Sequence, residues 1–367
     1  MSRSTRCSSK CVPAEREFNV TDVNRSEAFI TDTLHRPLRD LRVSVTDRCN
    51  LRCTYCMPRE VFGQDFVFLP RAELLSFEEI ARLARVFLNL GVNKIRLTGG
   101  EPMMRHGIEH LIEALAKLLT REGKPVEIAM TTNGVLLPRK AQALKDAGLT
   151  RLTVSLDALS EETFRRMSDS SESVTTVLEG IEKAQAVGLT PLKVNVVVKR
   201  GVNEHEIIPL VKHFRHTGVI LRFIEFMDVG SSNGWRMDDV VTAQEILEAI
   251  NRHYPLQQAE PNYSGEVAKR WVFTDGSGEV GVIASVTQAF CHDCSRIRLS
   301  TDGKLYTCLF ASDGTDLRAP LRQNESDESL RRRIVETWTS RSDQYSQIRH
   351  AATGLPGKRI EMSYIGG

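Results

Sequence analysis

Three cysteines share one short loop in the segment Ser44-Val45-Thr46-Asp47-Arg48-Cys49-Asn50-Leu51-Arg52-Cys53-Thr54-Tyr55-Cys56-Met57-Pro58. Cys49, Cys53 and Cys56 are spaced C-x₃-C-x₂-C, so one loop can wrap three thiolates around a compact metal centre. A cubane iron–sulfur cluster normally takes four cysteines, and a structural zinc ion also takes four ligands. Three ligands therefore leave one coordination position open for chemistry. A zinc site whose fourth ligand lies elsewhere in the chain is the alternative.

The chain around this loop alternates between predicted strands and predicted helices. Strand patterns cover residues 41–45, 94–98, 126–132, 152–156, 192–198 and 220–226. Helix patterns begin at Ser76 and recur at 108–119, near Ala141, at 174–186 and at 204–214. Ser76 and Glu79 predict a capping box, and Gly91 is the predicted end of the first helix. Six such repeats predict an α/β fold whose parallel sheet curls into a partial (β/α)6 barrel.

Polar motifs follow the carboxyl ends of these strands. They are Gly99-Gly100-Glu101-Pro102, Thr131-Thr132-Asn133-Gly134, Ser155-Leu156-Asp157 and Glu225-Phe226-Met227. Active sites of parallel barrels gather at that edge, so the motifs and the cysteine loop predict one active site there. The pair Gly99-Gly100 has two interpretations, a tight turn or a place where a ligand approaches the backbone closely.

The composition is that of an ordinary folded protein and excludes several classes. Of 367 residues, 41% are hydrophobic and 26% charged, and the net charge of +2 predicts no general attraction to nucleic acid or membranes. We find no apolar run of about 18 residues and no apolar core in the first ten residues, so we expect neither a transmembrane helix nor a secretory signal. Eight cysteines, six of them in two groups, indicate a reducing cytoplasm, with Cys7 and Cys11 as bystanders.

A second cysteine group follows after about Asp228, where the strand–helix alternation gives way to short strands. Cys291, Cys294 and Cys308 are spaced C-x₂-C-x₁₃-C, again one ligand short of four. A structural zinc knuckle is the alternative, and His292 inside the two-residue loop is not expected to reach the same metal. We expect a flexible leader at 1–34, the partial barrel at 35–228 and a smaller C-terminal region at 229–367.

Basic side chains recur on the predicted strands. Lys94 with Arg96, Arg296 with Arg298, and Lys193 with Asn195 are two residues apart, and Arg42 and Arg222 lie on the first and sixth strands. Residues two apart on a strand share one face. Buried cations without partners are costly, so these charges predict internal carboxylates or a bound anion such as a triphosphate. Side chains that face the helix layer or solvent are the simpler alternative.

These motifs resemble two nested families. The first cysteine loop, with Tyr55 before its last cysteine, resembles the signature of radical S-adenosylmethionine (SAM) enzymes, in which three cysteines hold a [4Fe–4S] cluster and SAM binds the fourth iron. Both cysteine groups, the basic strand residues and the terminal Gly366-Gly367 resemble the GTP 3′,8-cyclase family over nearly all of residues 35–367. That family opens molybdenum cofactor biosynthesis.

The resemblance implies a set of site residues. SAM contacts are implied at Tyr55, Gly100, Ser155 and Met227. GTP contacts are implied at Arg42, Lys94, Arg96, Thr131, Lys193, Arg222, Arg296 and Arg298. The metal ligands are implied to be Cys49, Cys53 and Cys56 for one [4Fe–4S] cluster and Cys291, Cys294 and Cys308 for a second. Arg96, Gly366 and Gly367 are implied to act in catalysis, with the glycine tail reaching into the active site.

The implied reaction is that of a lyase converting GTP to 3′,8-cyclo-7,8-dihydro-GTP. A 5′-deoxyadenosyl radical from SAM removes the ribose C3′ hydrogen, and the carbon radical attacks guanine C8 while the guanine sits on the second cluster. Implied partners are an electron donor such as a flavodoxin or ferredoxin and the downstream cyclic pyranopterin monophosphate synthase, with a homodimer as one allowed arrangement. Two alternatives stay open: a radical SAM peptide-modifying enzyme with an auxiliary cluster, and a zinc-binding interaction module.

Overall fold

The computed structural model describes residues 29–263, 265–348 and 359–366. Most of the predicted leader, including Cys7 and Cys11, and the terminal Gly367 lie outside the described residues. Within them, six strands alternate with helices as the sequence predicts. The strands are β1 (Asp40–Ser44), β2 (Lys94–Thr98), β3 (Glu127–Thr132), β4 (Arg151–Ser155), β5 (Leu192–Val198) and β6 (Ile220–Glu225). The helices are α1 (Phe77–Asn89), α2 (Ile108–Ala116), α3 (Leu137–Asp146), α4 (Glu161–Ser168), α5 (Val174–Ala186) and α6 (Ile207–Phe214).

The predicted strand boundaries are correct to within one residue, and the predicted start of α1 is confirmed. Ser76 Oγ accepts the Glu79 N–H at 3.1 Å, and the Ser76 N–H donates to Glu79 Oε2 at 2.7 Å, which completes the capping box. α2 ends at Ala116 rather than at residue 119. α6 begins at Ile207 rather than at residue 204, because Glu204–Glu206 form a separate 3-10 turn.

One helix of the barrel, α4, is absent from the sequence prediction. Its eight residues bury only Phe164 and Met167 as large apolar side chains, which is too few for a clear helical period. It begins at Ser160, whose side chain accepts the Thr163 N–H. This short helix lies against the first cysteine loop and helps to shape the site.

The six strands β1 to β6 are parallel neighbours in sequence order, and further strands extend both edges of the sheet. The added elements are α7 (Ala243–His253), β7 (Leu256–Ala259), β8 (Lys269–Phe273), β9 (Glu279–Ile283), β10 (Arg296–Leu299), β11 (Lys304–Tyr306), β12 (Thr315–Asp316), α8 (Arg318–Arg322), α9 (Asp327–Thr339), α10 (Tyr345–Ile348) and α11 (Met362–Ile365). β10 pairs in parallel with β1, and β9 pairs in parallel with β6. Residues after 228 therefore continue the barrel wall on both sides.

The helices cover the outer face of the sheet with apolar side chains. Ile80, Leu83 and Phe87 of α1 are buried in one core together with Leu41 and Ile95 of the first two strands. The inner face carries polar and charged residues instead, and side chains from β1 to β6, β9 and β10 line a common cavity. The parallel sheet thus curves around that cavity as a partial barrel. Among the described residues, no helix is both long and apolar enough to cross a membrane.

Candidate active site

A cavity of about 320 Å³ lies inside the curved sheet, and both cysteine groups line it. Cys49 follows the carboxyl end of β1, whereas Cys294 precedes the amino end of β10, the parallel neighbour of β1. Because β11 runs antiparallel to β10, Cys308 returns to the same end as Cys294. Asp40 pairs with Arg296, and from Asp40 to the end of β1 is roughly 13 Å at about 3.3 Å per residue. The two cysteine groups lie at opposite ends of the cavity.

The first cysteine loop is fixed by backbone hydrogen bonds to α4. The Arg52 N–H donates to Ser168 O and the Thr54 N–H donates to Met167 O, both at 3.0 Å. The Arg52 guanidinium also donates to Cys49 O at 2.8 Å. All three thiols of the loop are free and line the cavity, and their role as ligands of one cluster stays a prediction.

Carboxylates surround the thiols of the first loop. Burial, together with the Glu101 carboxylate, raises the pKa of Cys49 to about 11. Burial also raises the pKa of Cys53 well above its ordinary value, and the neighbouring Cys49 and Asp157 add to this shift. Tyr55 donates its hydroxyl to Asp157 Oδ2 at 2.8 Å, and burial raises the pKa of Asp157 to about 6. The first end of the cavity is therefore acidic and poorly solvated.

The two glycines after β2 allow the first cysteine loop to approach that strand. A side chain at Gly100 would collide with the Arg48 carbonyl, and one at Gly99 would collide with the Thr46 carbonyl. Gly99 also has a φ of +139°, which disfavours any other residue. The Gly100 N–H donates to Thr46 O at 2.8 Å. Close packing thus accounts for both glycines, and a contact between Gly100 and SAM stays a prediction.

Cations surround the second cysteine group. Burial alone would raise the pKa of Cys294, but Arg296 and Arg341 lower it to about 6. The Arg296 guanidinium donates from Nη2 to Cys294 Sγ at 3.3 Å. Burial raises the pKa of Cys308 to about 11. The side chain of His292 is 84% exposed, which agrees with its exclusion as a ligand.

The register of the sheet arranges the basic strand residues in two rows. Nearer the amino ends, the row across β10, β1, β2 and β3 alternates in charge and reads Arg296, Asp40, Lys94, Glu127. The next inward-facing row reads Arg298, Arg42, Arg96, Ala129, and it carries three positive charges and no carboxylate. Like charges directly opposite each other destabilise a sheet. Burial lowers the pKa of Arg42 well below its ordinary value, and repulsion from Arg298, Arg296 and Arg96 lowers it further.

Carboxylates neutralise two of the predicted GTP contacts. Lys94 Nζ lies 2.9 Å from Glu127 Oε1, and Arg222 Nη2 lies 3.6 Å from Glu266 Oε1. Lys193 does not line the cavity; it is buried, and burial with repulsion from Arg222 lowers its pKa to about 7. Part of the basic set is therefore paired inside the protein, as one of the two sequence-based interpretations expects.

Arg96 and Arg42, in the row of Arg298, Arg42 and Arg96, have no carboxylate partner among the described residues. The Arg96 guanidinium donates to the hydroxyls of Thr131 and Thr153 at 3.1 and 3.3 Å. The Arg42 guanidinium makes no hydrogen bond or ion pair with any residue between 29 and 366 that the structure describes. Both guanidiniums line the cavity, as does Thr131. Their charge is directed at whatever the cavity binds.

The other predicted site residues are also brought to the cavity. Tyr55, Gly100, Ser155 and Met227 all contribute to its wall, at the end where the first cysteine loop lies. These four positions come from four separate elements, so their convergence follows from the parallel order of β1, β2, β4 and β6. The structure therefore assembles the implied SAM residues, whose contacts with SAM stay a prediction.

The C-terminal segment runs into the molecule at Gly366. Ile365 is fully buried, and the Arg298 guanidinium donates to the Gly366 carbonyl. Gly366 has a φ of +75°, and a side chain there would collide with Thr98 Oγ1 at the end of β2. Arg298 and Thr98 both line the cavity, so the tail approaches the cavity wall. Gly367 lies outside the described residues.

Sequence reasoning missed Tyr263 and Glu266, which also line the cavity. Tyr263 and Glu266 come from the loop before β8, and the Tyr263 ring lies 5.6 Å from Lys94 Nζ. No local pattern marks them, because an aperiodic loop reaches the cavity only through tertiary packing. Asp157 belongs to the motif after β4 that the sequence places at the active site. Its hydrogen bond with the Tyr55 hydroxyl was not predicted.

Comparisons with known proteins agree with this geometry. A family model described as Radical SAM superfamily matches residues 43–214, and one described as Molybdenum Cofactor Synthesis C matches residues 219–347. The crystal structure of Streptococcus suis SuiB bound to S-adenosylmethionine has a TM-score of 0.57 at 14% identity, covering 85% of this chain and 68% of that one. SuiB bound to its precursor peptide SuiA gives a TM-score of 0.58 at 14% identity, covering 86% and 68%. The fold and the first family model define a radical SAM protein.

The sequence relatives narrow this class. Proteins described as GTP 3′,8-cyclase from Acidothermus cellulolyticus and Staphylococcus aureus (strain JH9) are each 50% identical, over 362 and 341 residues. Each match covers 92% of this chain and 99% of the relative. The chain belongs to the GTP 3′,8-cyclase family. Membership of this family does not favour the two alternative functions, a peptide-modifying radical SAM enzyme and a zinc-binding interaction module.

Radical SAM proteins use SAM together with an iron–sulfur cluster, and the first cysteine loop has the donors that such a cluster requires. Cys49, Cys53 and Cys56 are free thiols on one cavity wall, and thiolates are the usual ligands of iron–sulfur clusters. Among the described residues, no three Cys, His, Asp or Glu side chains converge closely enough to hold a single metal ion.

Proposed function

We propose that this protein converts GTP to 3′,8-cyclo-7,8-dihydro-GTP, the first step of molybdenum cofactor biosynthesis. The observation that carries the proposal is the all-positive row of Arg298, Arg42 and Arg96, which lies between the two cysteine groups. Three adjacent guanidiniums without a carboxylate are costly unless an anion joins them. A triphosphate supplies about four negative charges and accepts bidentate arginine contacts.

The chain's own residues bind and orient the substrate. Arg42, Arg96 and Arg298 hold phosphate oxygens, and Arg296 extends this surface toward the second cysteine group. Thr131 already accepts a hydrogen bond from Arg96 and thereby fixes the direction of that guanidinium. The paired Lys94, Arg222 and buried Lys193 complete the basic set implied by the family. Fixed donors in a cavity that excludes water bind an anion more strongly than mobile surface cations do.

The first end of the cavity suits SAM. Tyr55, Gly100, Ser155 and Met227 line this end, and the nearby Asp157 carboxylate favours the cationic sulfonium and amino groups of SAM. When bound, the first cluster and SAM supply the 5′-deoxyadenosyl radical that removes the ribose C3′ hydrogen.

The second end of the cavity suits a second cluster. Cys291, Cys294 and Cys308 are free thiols on the wall beyond the arginine row, one ligand short of a complete cubane set. An open iron there would hold the guanine of GTP while the triphosphate lies on the arginines. We further propose that Gly366 and Gly367 order this region, because Gly366 is already bonded to Arg298.

Several further expectations belong to the same proposal. The enzyme is a lyase of the cytoplasm that takes electrons from a flavodoxin or ferredoxin, and its product passes to cyclic pyranopterin monophosphate synthase. A homodimer is compatible with this activity. The division into a leader at 1–34, a barrel at 35–228 and a C-terminal region at 229–367 stays a prediction.

One experiment tests the function directly. The anaerobically purified protein is incubated with GTP, SAM and a reductant, and the nucleotide is analysed by mass spectrometry and NMR. We expect an isomer of GTP in which ribose C3′ is bonded to C8, with one equivalent of 5′-deoxyadenosine. Formation of 5′-deoxyadenosine without any change in GTP would contradict the substrate assignment.

A further inference from the structure

A buried charged cluster lies beneath the second cysteine loop and takes no part in the proposed chemistry. Arg36 and Arg341 have side chains that are 2% and 1% exposed, and both contact the fully buried carboxylate of Asp32, at 2.6 and 3.4 Å. Buried ion pairs cost more to desolvate than they usually return in stability. Arg341 also contacts the partly exposed Asp343 carboxylate at 3.3 Å, whereas Arg36 depends on Asp32 alone, so the cluster calls for a role beyond stability.

The two guanidiniums of this cluster donate hydrogen bonds to backbone carbonyls of the second cysteine loop. Arg36 donates from Nη1 to Cys291 O at 2.8 Å, and Arg341 donates from Nη1 to Cys294 O at 2.8 Å. Arg36 also donates to Asp343 O at 2.8 Å, so it joins the loop to the segment that leads into α10. The start of the described chain and its last long helix thus meet at the loop.

Ser346 in α10 makes the most direct contact with a thiol of this loop. Its hydroxyl oxygen accepts the N–H groups of Phe290 and Cys291, both at 3.1 Å. Both lone pairs of the hydroxyl are then occupied, so its proton must point elsewhere. Cys291 Sγ lies 2.8 Å from Ser346 Oγ and also accepts the Ser346 N–H at 3.3 Å. Ser346 is 4% exposed, so bulk solvent has little access to that proton.

We propose that Ser346 is a positioning residue that retains the second cluster and sets its reduction potential by donating its hydroxyl proton to the Cys291 sulfur. This inference rests on the proposed function, because it requires the second cluster. A hydrogen bond to a cluster sulfur stabilises the more negative, reduced state, and such bonds are among the determinants of cluster potential. The Arg36–Asp32–Arg341 cluster holds the loop in register with Ser346.

The first cysteine loop provides the internal contrast. Cys49 Sγ is contacted by the Leu51 N–H at 3.4 Å and by the Asn133 amide at 3.7 Å, and no hydroxyl donates to it among the described residues. The second loop has a short hydroxyl contact on Cys291 and a guanidinium contact on Cys294. The donor pattern therefore stabilises negative charge at the second end of the cavity more than at the first.

The test isolates the second cluster in the full-length chain. Cys49, Cys53 and Cys56 are replaced by alanine, so that any remaining iron belongs to the second cysteine group. Ser346→Ala, Ser346→Thr and Ser277→Ala are then introduced separately into this background. Ser277 lies in the turn before β9, far in sequence from the cysteine loops. It is a matched control, because it is also 4% exposed and its hydroxyl oxygen accepts a hydrogen bond from Arg215.

Iron content and a potentiometric titration followed by electron paramagnetic resonance provide the readouts. We expect Ser346→Ala either to lose iron or to show an about tenfold lower ratio of reduced to oxidised cluster at the unsubstituted midpoint, which corresponds to about 59 mV for a one-electron couple. Ser346→Thr keeps the hydroxyl and should match the background, as should Ser277→Ala. Equal iron and equal potential in Ser346→Ala and Ser277→Ala would overturn the inference. No iron in the background itself would instead refute the second cluster and the function that depends on it.

Discussion

The loop of Cys49, Cys53 and Cys56 and the group of Cys291, Cys294 and Cys308 face one cavity from ends of opposite charge. At the first end, buried carboxylates lie near the thiols and raise their pKa values further. At the second end, Arg296 and Arg341 bring the pKa of Cys294 down to about 6 against the effect of burial. Both groups contain three cysteines, and their surroundings make them different.

In the proposed function, this difference determines which end of the cavity binds each of the two ligands. An acidic end favours a cationic ligand such as SAM, and a basic end favours an anionic one such as a triphosphate. Exchange of the two ligands would place like charges together at both ends. The arginine row of Arg298, Arg42 and Arg96 lies between the cysteine groups and sets the boundary. The difference in charge therefore distinguishes the two ends of the cavity along the barrel axis.

The largest expected effects come from removing each cysteine group in turn. Replacing Cys49, Cys53 and Cys56 by alanine should leave about half the iron and abolish SAM cleavage, because no first cluster remains. Replacing Cys291, Cys294 and Cys308 should also leave about half the iron but preserve SAM cleavage while cyclised nucleotide is lost. Iron analysis and quantification of 5′-deoxyadenosine distinguish these outcomes. Full SAM cleavage without the first group would contradict the assignment of the two ends.

Removing the tail should have the next largest effect on product. The described tail lies beside two strands of the cavity wall, since Gly366 lies next to Thr98 on β2 and accepts a hydrogen bond from Arg298 on β10. Deleting Gly366 and Gly367 should therefore leave iron content and SAM binding nearly unchanged and strongly reduce the cyclised nucleotide. Chromatography of the reaction products gives the measurement. A truncated protein that forms product at the full-length rate would show that the tail has no role.

The ion pairs near the two loops should differ in their effect on stability. Asp32→Asn keeps the acceptor for the Leu34 and Arg36 N–H groups but leaves the buried Arg36 guanidinium without a carboxylate and Arg341 with Asp343 alone. We expect a loss of about 3–5 kcal/mol in the free energy of unfolding. Asp169→Asn is the matched change beside the first loop, where Asp169 pairs with the exposed Arg59. Surface pairs often contribute nothing measurable, so we expect an unchanged Tm.

Denaturant unfolding of both asparagine variants, with metal content held equal, provides the measurement. Equal losses in the two variants would mean that the buried cluster under the second loop does not stabilise that end of the molecule.

Arg42 should show opposite effects on stability and on ligand binding. It lies between Arg298 and Arg96 without a partner among the described residues, so Arg42→Met removes repulsion and should raise the Tm of the substrate-free protein. The same change should weaken GTP binding by about 1.5–3 kcal/mol, the value of a hydrogen bond to a charged group. Lys94→Met is the control, because loss of its pair with Glu127 should lower the Tm. A lower Tm for Arg42→Met would show that the row is not repulsive.

The barrel was predictable because its signals are local. β-branched alternation, the Ser76–Glu79 capping box and glycine stops each act within a few residues, so strands such as β2 and β5 were placed without error. The short, polar α4 was not predicted, because its burial depends on the cysteine loop that it supports. β7 and the strands β11 and β12 escaped for a similar reason, since each is four residues or fewer and is defined by its neighbours.

The site was predictable as a set of residues and not as an arrangement. Spacing identified both cysteine groups, but only the parallel pairing of β10 with β1 places them at opposite ends of the cavity. The contact between Arg36 and Cys291 joins positions 255 residues apart, and no local pattern records such a pairing. Glu266 is similar, because its effect on Arg222 depends on how an aperiodic loop packs.

The finest test of the two ends is the reactivity of their thiols in metal-free protein. Cys294 has a pKa of about 6 and is mostly thiolate at about pH 7.5, whereas Cys49, with a pKa of about 11, is mostly protonated. The difference in thiolate fraction is roughly three thousandfold, and lower intrinsic nucleophilicity of the more acidic thiol offsets roughly a hundredfold or more of it. Cys294 should therefore react about tenfold faster with a small disulfide reagent.

The dependence of each thiol's reaction rate on pH shows separately whether its pKa is raised or lowered. The rate at Cys294 should level off above about pH 7, because its lowered pKa has by then been passed, and the rate at Cys49 should keep rising toward pH 10. Peptide mass spectrometry resolves the two sites, and Cys308, with a pKa of about 11, is the control within the second group. Arg341→Gln should move the Cys294 plateau to higher pH, since it removes one of the two cations. Parallel profiles for Cys294 and Cys49 would mean that the two ends of the cavity do not differ in charge.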